Sequence, residues 1–135
     1  MEENEMEDIQ KTVENATLPV FVYGTLMRGQ RANHMLAGAA YAGEFTLEDH
    51  AMYDLGRYPG IVPRAGETVF GEVFFVSEEM LAKMDEYEEE GSLYRRVAVR
   101  LRGEKGAFTA QAYIYNRDVT GCRLLRCPWS ARTQG

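Results

Sequence analysis

Hydrophobic residues in this chain fall in short runs whose spacing changes from one run to the next. Pro19-Val20-Phe21-Val22-Tyr23 is an unbroken apolar, β-branched and aromatic run that Gly24 interrupts, which predicts a buried strand. Residues 24 to 29 then read as a loop. Ala32, Met35 and Leu36 recur at helical spacing before Gly38, predicting a helical turn or two over residues 31 to 36. Between residues 41 and 64, Gly43, Gly56, Pro59, Gly60 and Pro63 separate the apolar pieces at 44 to 47 and 51 to 53, a mixture that predicts two short strands and an irregular loop. Residues 68 to 76 carry Val69, Val73 and Phe75 on one face and Phe70, Phe74 and Val76 on the other, as expected of a central strand covered on both sides.

The period then changes. Ser77 suits a helix N-cap, Glu78 and Glu79 suit the positive end of the helix dipole, and Met80, Leu81, Met84 and Tyr87 form an apolar stripe. Residues 94 to 102 alternate Val97, Val99 and Leu101 with Arg96, Ala98, Arg100 and Arg102, the pattern of a half-exposed strand. After a turn at 103 to 106, residues 108 to 115 set Ala110, Ala112 and Ile114 opposite Tyr113 and Tyr115, predicting one more strand. Several strands with one main helix define an α+β domain, and a short curved sheet of this kind can close into a small barrel. From Thr120 onward no periodicity remains, so residues 120 to 135 are expected to be a tail or a strap across the sheet.

At 135 residues the chain fits one domain, assigned here to residues 19 to 119. Its apolar and charged fractions, 45% and 27%, are those of an ordinary globular protein. The net charge of -6 is concentrated at the start, where residues 1 to 18 hold six acids against Lys11. That segment is expected to be a disordered acidic tail, and the remaining balance gives no reason to expect nucleic-acid binding. No apolar run is long enough for a membrane span and no signal pattern opens the chain, so a cytoplasmic location is expected. Cys122 and Cys127 have too few thiols or histidines near them for a metal cage, and no metal site is expected.

One carboxylate stands out. With Met80 at zero on a helical wheel of about 100° per residue, Leu81, Met84 and Tyr87 fall at about 100°, 40° and 340°, and Glu88 falls among them at about 80°. Glu86, Glu89 and Glu90 fall at about 240°, 180° and 280°, on the opposite side. A carboxylate set against apolar neighbours loses hydration, so its pKa rises toward the range useful for proton transfer. Two plainer readings remain open at this point: the helix ends near Tyr87 and Glu88 belongs to a solvated turn, or Glu88 pairs structurally with Arg95 or Arg96. Asp85, at about 140° on the edge of the stripe, is a weaker candidate. Tyr23-Gly24-Thr25-Leu26, at a strand end, can present main-chain N–H groups to a carboxylate or an oxyanion, though such a glycine often marks only a turn.

Taken in order, Val22-Tyr23-Gly24-Thr25-Leu26, Tyr53-Asp54-Leu55-Gly56-Arg57-Tyr58-Pro59, Met84-Asp85-Glu86-Tyr87-Glu88 and Tyr94-Arg95-Arg96 resemble the γ-glutamyl cyclotransferase family over roughly residues 19 to 116. The resemblance implies a small mixed β-barrel of about five to seven strands, with one main helix and short flanking helices. It implies a catalytic glutamate three positions after the motif's aspartate, which here is Glu88. Tyr23, Gly24, Thr25 and Leu26 match the family's substrate-binding loop, and Tyr94 matches a tyrosine near the pocket. Relatives often carry glycine or another small residue directly after the catalytic glutamate, whereas Glu89 and Glu90 follow it here.

The implied reaction is attack of a γ-glutamyl compound's own α-amine on its γ-carbonyl, giving 5-oxoproline and a free amine, with no cofactor. The partner is then a small γ-glutamyl molecule; a protein-bound or carrier-bound γ-glutamyl group is the alternative donor. A barrel that binds a small acid without turnover is a non-enzymatic alternative. Arg96, Arg100 and Arg102 on one strand face form a basic strip, a third possibility as an interaction surface.

Overall fold

The computed structural model describes residues 17 to 130, so the acidic segment before Thr17 and the last five residues lie outside the described part. Among the described residues there are six strands and one α-helix: β1 (Thr17–Val22), β2 (Ala40–Asp54), β3 (Pro59–Ser77), α1 (Glu78–Tyr87), β4 (Tyr94–Gly103), β5 (Gly106–Tyr115) and β6 (Arg123–Leu125). They form one mixed sheet in the order β3-β1-β5-β4-β2-β6, on which α1 is the main helix, an α+β arrangement. β2 also pairs along β3, so the pairings run from β3 through β1, β5, β4 and β2 back to β3. On that path β2 meets β4 at a single registered pair, Thr46 with Arg102. β1 lies antiparallel to β3 and parallel to β5.

The central strand and the half-exposed strand have the expected faces. β3 is flanked by β1 and β2 over residues 72 to 75, and Val69, Val73, Phe74 and Val76 are buried, although Phe70 is exposed. On β4, Val99 and Leu101 are buried while Ala98, Arg100 and Arg102 are exposed. The first strand begins two residues earlier than its apolar run, because Thr17 and Leu18 pair with Ser77 and Val76.

The segment from 41 to 64 differs from its expectation. Instead of two short strands and an irregular loop it forms a long hairpin, with β2 of 15 residues and the first part of β3. The glycine and proline that suggested interruptions sit where a ladder tolerates them. Register shifts occur between Tyr41 and Gly43 and between Glu48 and His50, and Gly43 and Asp49 adopt positive φ there. Pro63 pairs with His50 beside the second irregularity, where a missing N–H costs little. The helical turn expected over residues 31 to 36 is present as a 3-10 turn, Asn33–Leu36. The chain after Thr120 returns to the sheet, β6 pairing antiparallel with Met52 to Asp54 and burying Leu125, while Trp129 is 3% exposed.

Candidate active site

α1 starts as its sequence dictates, with Ser77 Oγ accepting a hydrogen bond from the Met80 N–H at 3.1 Å. Leu81 and Met84 are buried on the face toward the core. Tyr87, placed in the same stripe by periodicity, is 39% exposed. It lines the cavity described below, where its hydroxyl reaches Thr25 Oγ1 at 2.9 Å. The helix does end at Tyr87, yet Glu88 keeps helical dihedrals (φ -85°, ψ -2°) and its N–H donates to the Met84 carbonyl at 2.9 Å. The wheel therefore still holds for one more residue, and it fails at Glu89, whose φ is 52°. Glu86, Glu89 and Glu90 are exposed, and Glu88 alone of the four is partly buried.

Glu88 lines a cavity of about 250 Å³ together with Tyr23, Gly24, Thr25, Leu26 and Tyr94, so all six residues singled out from the sequence meet at one place. Among the described residues the Glu88 carboxylate forms neither an ion pair nor a hydrogen bond. Burial pushes its pKa up from 4.5 to about 7. The structural pairing considered for it is taken by Asp85: Arg96 donates through Nε to Asp85 Oδ1 at 2.8 Å and through its terminal nitrogen to Oδ2 at 3.2 Å. Tyr113 donates to the same Oδ1 at 2.6 Å, and Arg96 also donates to Gln111 Oε1 at 3.1 Å. Burial raises the Asp85 pKa, but these hydrogen bonds and the Arg96 charge outweigh it and hold the carboxyl below its ordinary value. Asp85 thus ties the end of α1 to β4 and β5, one turn from Glu88.

Five tyrosines line the cavity, and three of them, Tyr23, Tyr94 and Tyr113, spend their proton on the scaffold. Tyr23 donates to the Tyr113 carbonyl at 2.6 Å, Tyr94 to the Pro59 carbonyl at 2.6 Å, and Tyr113 to Asp85. Burial raises all three pKa values well above the usual phenol value, with the nearby Glu88 charge adding to it, so they stay neutral. Of the two carboxylates lining the cavity, neither of which has a hydrogen-bond or ion-pair partner among the described residues, Glu88 is the partly buried one and Glu89 the exposed one.

The loop after β1 is tightly fixed. Its turn closes by Met27 N–H to the Gly24 carbonyl at 3.1 Å, and the Ala32 N–H and Asn33 Nδ2 donate to the Thr25 and Leu26 carbonyls at 2.9 and 2.8 Å. The far end is held by Glu72 of β3, 8% exposed, which accepts from the Arg28 N–H at 2.8 Å and from Arg28 Nε at 3.1 Å. Gly24 is required for space and not for an unusual φ: a Cβ there would lie 2.6 Å from Pro59 Cγ. Among the described residues the N–H groups of Thr25 and Leu26, two residues of the cavity lining, donate to no backbone acceptor.

Sequence reasoning did not single out Arg31, Arg57, Tyr58 and Tyr113, all of which line the same cavity. Arg57 and Tyr58 lie within one of the motif stretches, but nothing in their spacing says that the β2–β3 turn folds over Glu88. Of Arg96, Arg100 and Arg102 on β4, Arg96 is paired with Asp85 and Arg102 with Glu48. Among the described residues no helix is long and apolar enough to cross a membrane.

Residues 20–131 match the model of the family described as gamma-glutamyl cyclotransferase, AIG2-like. The chain is 35% identical over 106 residues to the gamma-glutamylcyclotransferase family protein YtfP of Escherichia coli (strain K12), covering 78% of this chain and 89% of that protein. It is 34% identical over 111 residues to gamma-glutamylaminecyclotransferase A of Danio rerio, covering 74% and 69% of the two chains. The solution structure of ytfP from Escherichia coli superimposes with a TM-score of 0.66 at 33% identity, covering 86% of this chain and 99% of that one. An inward glutamate, a fixed Tyr-Gly-Thr-Leu loop and matches over most of the chain agree, and the protein belongs to the γ-glutamyl cyclotransferase, AIG2-like family.

Proposed function

We propose that this chain cyclises a γ-glutamyl amine or γ-glutamyl amino acid to 5-oxoproline and releases the amine, acting on a small molecule in the cytoplasm. The observation that carries this reading is the unpaired Glu88 carboxylate in a small cavity, with its pKa pushed up to about 7. The cavity lies below the roughly 300–1,000 Å³ of pockets that enclose drug-sized ligands, which suits one folded-back glutamyl group.

In the reaction the substrate's α-nitrogen forms a bond to its γ-carbonyl carbon, and the bond from that carbon to the departing nitrogen breaks. One proton travels from the attacking nitrogen to the leaving one, so no oxidant, reductant or second substrate is consumed. Glu88 as the carboxylate takes the proton from the attacking nitrogen and, as the acid, delivers it to the leaving amine. A pKa near neutrality serves both halves of that transfer. Because both reacting groups belong to one molecule, holding the bent conformer supplies a large part of the acceleration. The Thr25 and Leu26 N–H groups bind the glutamyl α-carboxylate or steady the oxyanion. This is an intramolecular acyl transfer of lyase type.

Glu88→Gln is expected to fold and to lose about 10²- to 10⁴-fold in turnover, the usual weight of a proton-transferring group. Glu89→Gln and Glu90→Gln are expected to stay active. Release of 5-oxoproline from a panel of γ-glutamyl amino acids and amines, read by mass spectrometry, checks all three; equal losses in the three variants would rule out the role given to Glu88.

A further inference from the structure

We propose that Arg31 and Arg57 recognise a carboxylate on the departing amine, so that γ-glutamyl amino acids are favoured over γ-glutamyl amines that lack one. The inference rests on the cyclisation reading above and names the substrate class for that site.

With the glutamyl group held against Glu88 and the Thr25–Leu26 backbone, the departing amine must lie toward the cavity mouth. Two exposed arginines line the cavity there from different elements. Among the described residues neither guanidinium has an ion pair or hydrogen bond, whereas Arg28, Arg96, Arg102 and Arg126 are each paired with a carboxylate. Both are carried on firm backbone. Arg31 precedes Ala32, whose N–H is bonded to the Thr25 carbonyl. Arg57 occupies the β2–β3 turn, closed by the Leu55 N–H to the Tyr58 carbonyl at 3.1 Å and by the Gly56 N–H to Asp54 Oδ1 at 2.8 Å. The following Pro59 is held by the Tyr94 hydroxyl. Glu89 is the one exposed acid among the lining residues, so the mouth carries two positive charges against one negative. A planar guanidinium with free N–H groups suits bidentate binding of a carboxylate. The glutamyl carboxylate does not need these arginines, because the loop N–H groups can hold it deeper inside.

γ-Glutamylalanine and γ-glutamylethylamine differ only in that the first carries a carboxylate where the second carries hydrogen, and they form the test pair. The wild-type protein is expected to turn over γ-glutamylalanine with a kcat/KM higher by roughly tenfold to a hundredfold, the range of one or two charge-assisted hydrogen bonds. Most of the difference should lie in KM, which rises with salt for the acid. Arg57→Gln and Arg31→Gln should each shrink the ratio by lowering kcat/KM for γ-glutamylalanine, and the double variant should bring it near one. Arg100→Gln, on the exposed face of β4, should leave the ratio as it is. Comparable kcat/KM for the two compounds, or a ratio indifferent to Arg31 and Arg57, overturns this inference and leaves cyclisation standing. No 5-oxoproline from either compound or from the wider panel overturns the cyclisation reading, and this inference with it.

Discussion

Glu88 is a group whose usefulness and cost have the same origin. The folded protein holds its carboxyl proton up to about pH 7, whereas an exposed glutamate releases it near 4.5. The stability this confers is complete below about 4.5 and is lost as the pH rises through about 7, by up to about 3 kcal/mol. Glu88→Gln carries no such loss, so thermal melts of the two proteins should coincide near pH 4 and diverge in favour of the variant by pH 8. Activity should run the other way, with kcat/KM of the wild type rising through about pH 7 as the carboxylate forms; a flat profile across that range would exclude Glu88 as the base. Glu89, next in the chain, adopts φ 52°, a left-handed conformation that glycine takes freely and a side chain resists. The position just past a helix end commonly holds glycine for this reason. Glu89→Gly is expected to stabilise the fold by about 1 kcal/mol, seen as a higher urea midpoint with unchanged slope.

At the scale of elements, α1 is useful because its final turn is tied down. Asp85 joins it to β4 through Arg96 and to β5 through Tyr113. Asp85→Asn leaves Arg96 partly buried without its charge partner and should cost about 1–3 kcal/mol while loosening the backbone beside Glu88. Because the Asp85 pKa is lowered in the fold, its stabilisation is present above the unfolded value and disappears as the pH falls through the folded one. The variant should therefore lose less stability on acidification than the wild type, and its kcat should fall more than its KM changes. The helix, β4 and β5 were legible from periodicity alone, since each buries one face and its sequence repeats at the matching interval. Glu88 was legible for the same reason: its backbone stays helical for one residue past Tyr87. The β2–β3 hairpin was not, because its glycines and prolines serve bulges and a turn within a continuous ladder. Nor were Arg31 and Arg57, whose place at the cavity is set by where two turns fold, which no repeat in the chain encodes. Tyr87 lies on the side its period predicts but is 39% exposed, because the surface it covers is the cavity and not the core.

For the whole molecule, residues 121 to 130 are part of the structure they cross. β6 pairs with the end of β2, Arg126 meets both oxygens of Glu67 at 3.1 Å, and Trp129 is buried in the common core. Trp129→Ala is expected to cost about 3–5 kcal/mol, lowering the thermal midpoint although the residue lies outside the Glu88 cavity. The site itself combines residues from the beginning, middle and end of the sheet. Tyr23 bonds to Tyr113 across 90 positions of sequence, and β1 settles between β3 and β5. A chain leaving the ribosome can pair its first strand with β3, but the other edge of that strand stays open until β5 has emerged, and pairing at such separations slows folding into the millisecond-to-second regime. Fragments that stop before β5 lack Tyr113, whose carbonyl holds Tyr23, and leave the hollow around the glutamate open on that side, so its wall is completed only late in biosynthesis.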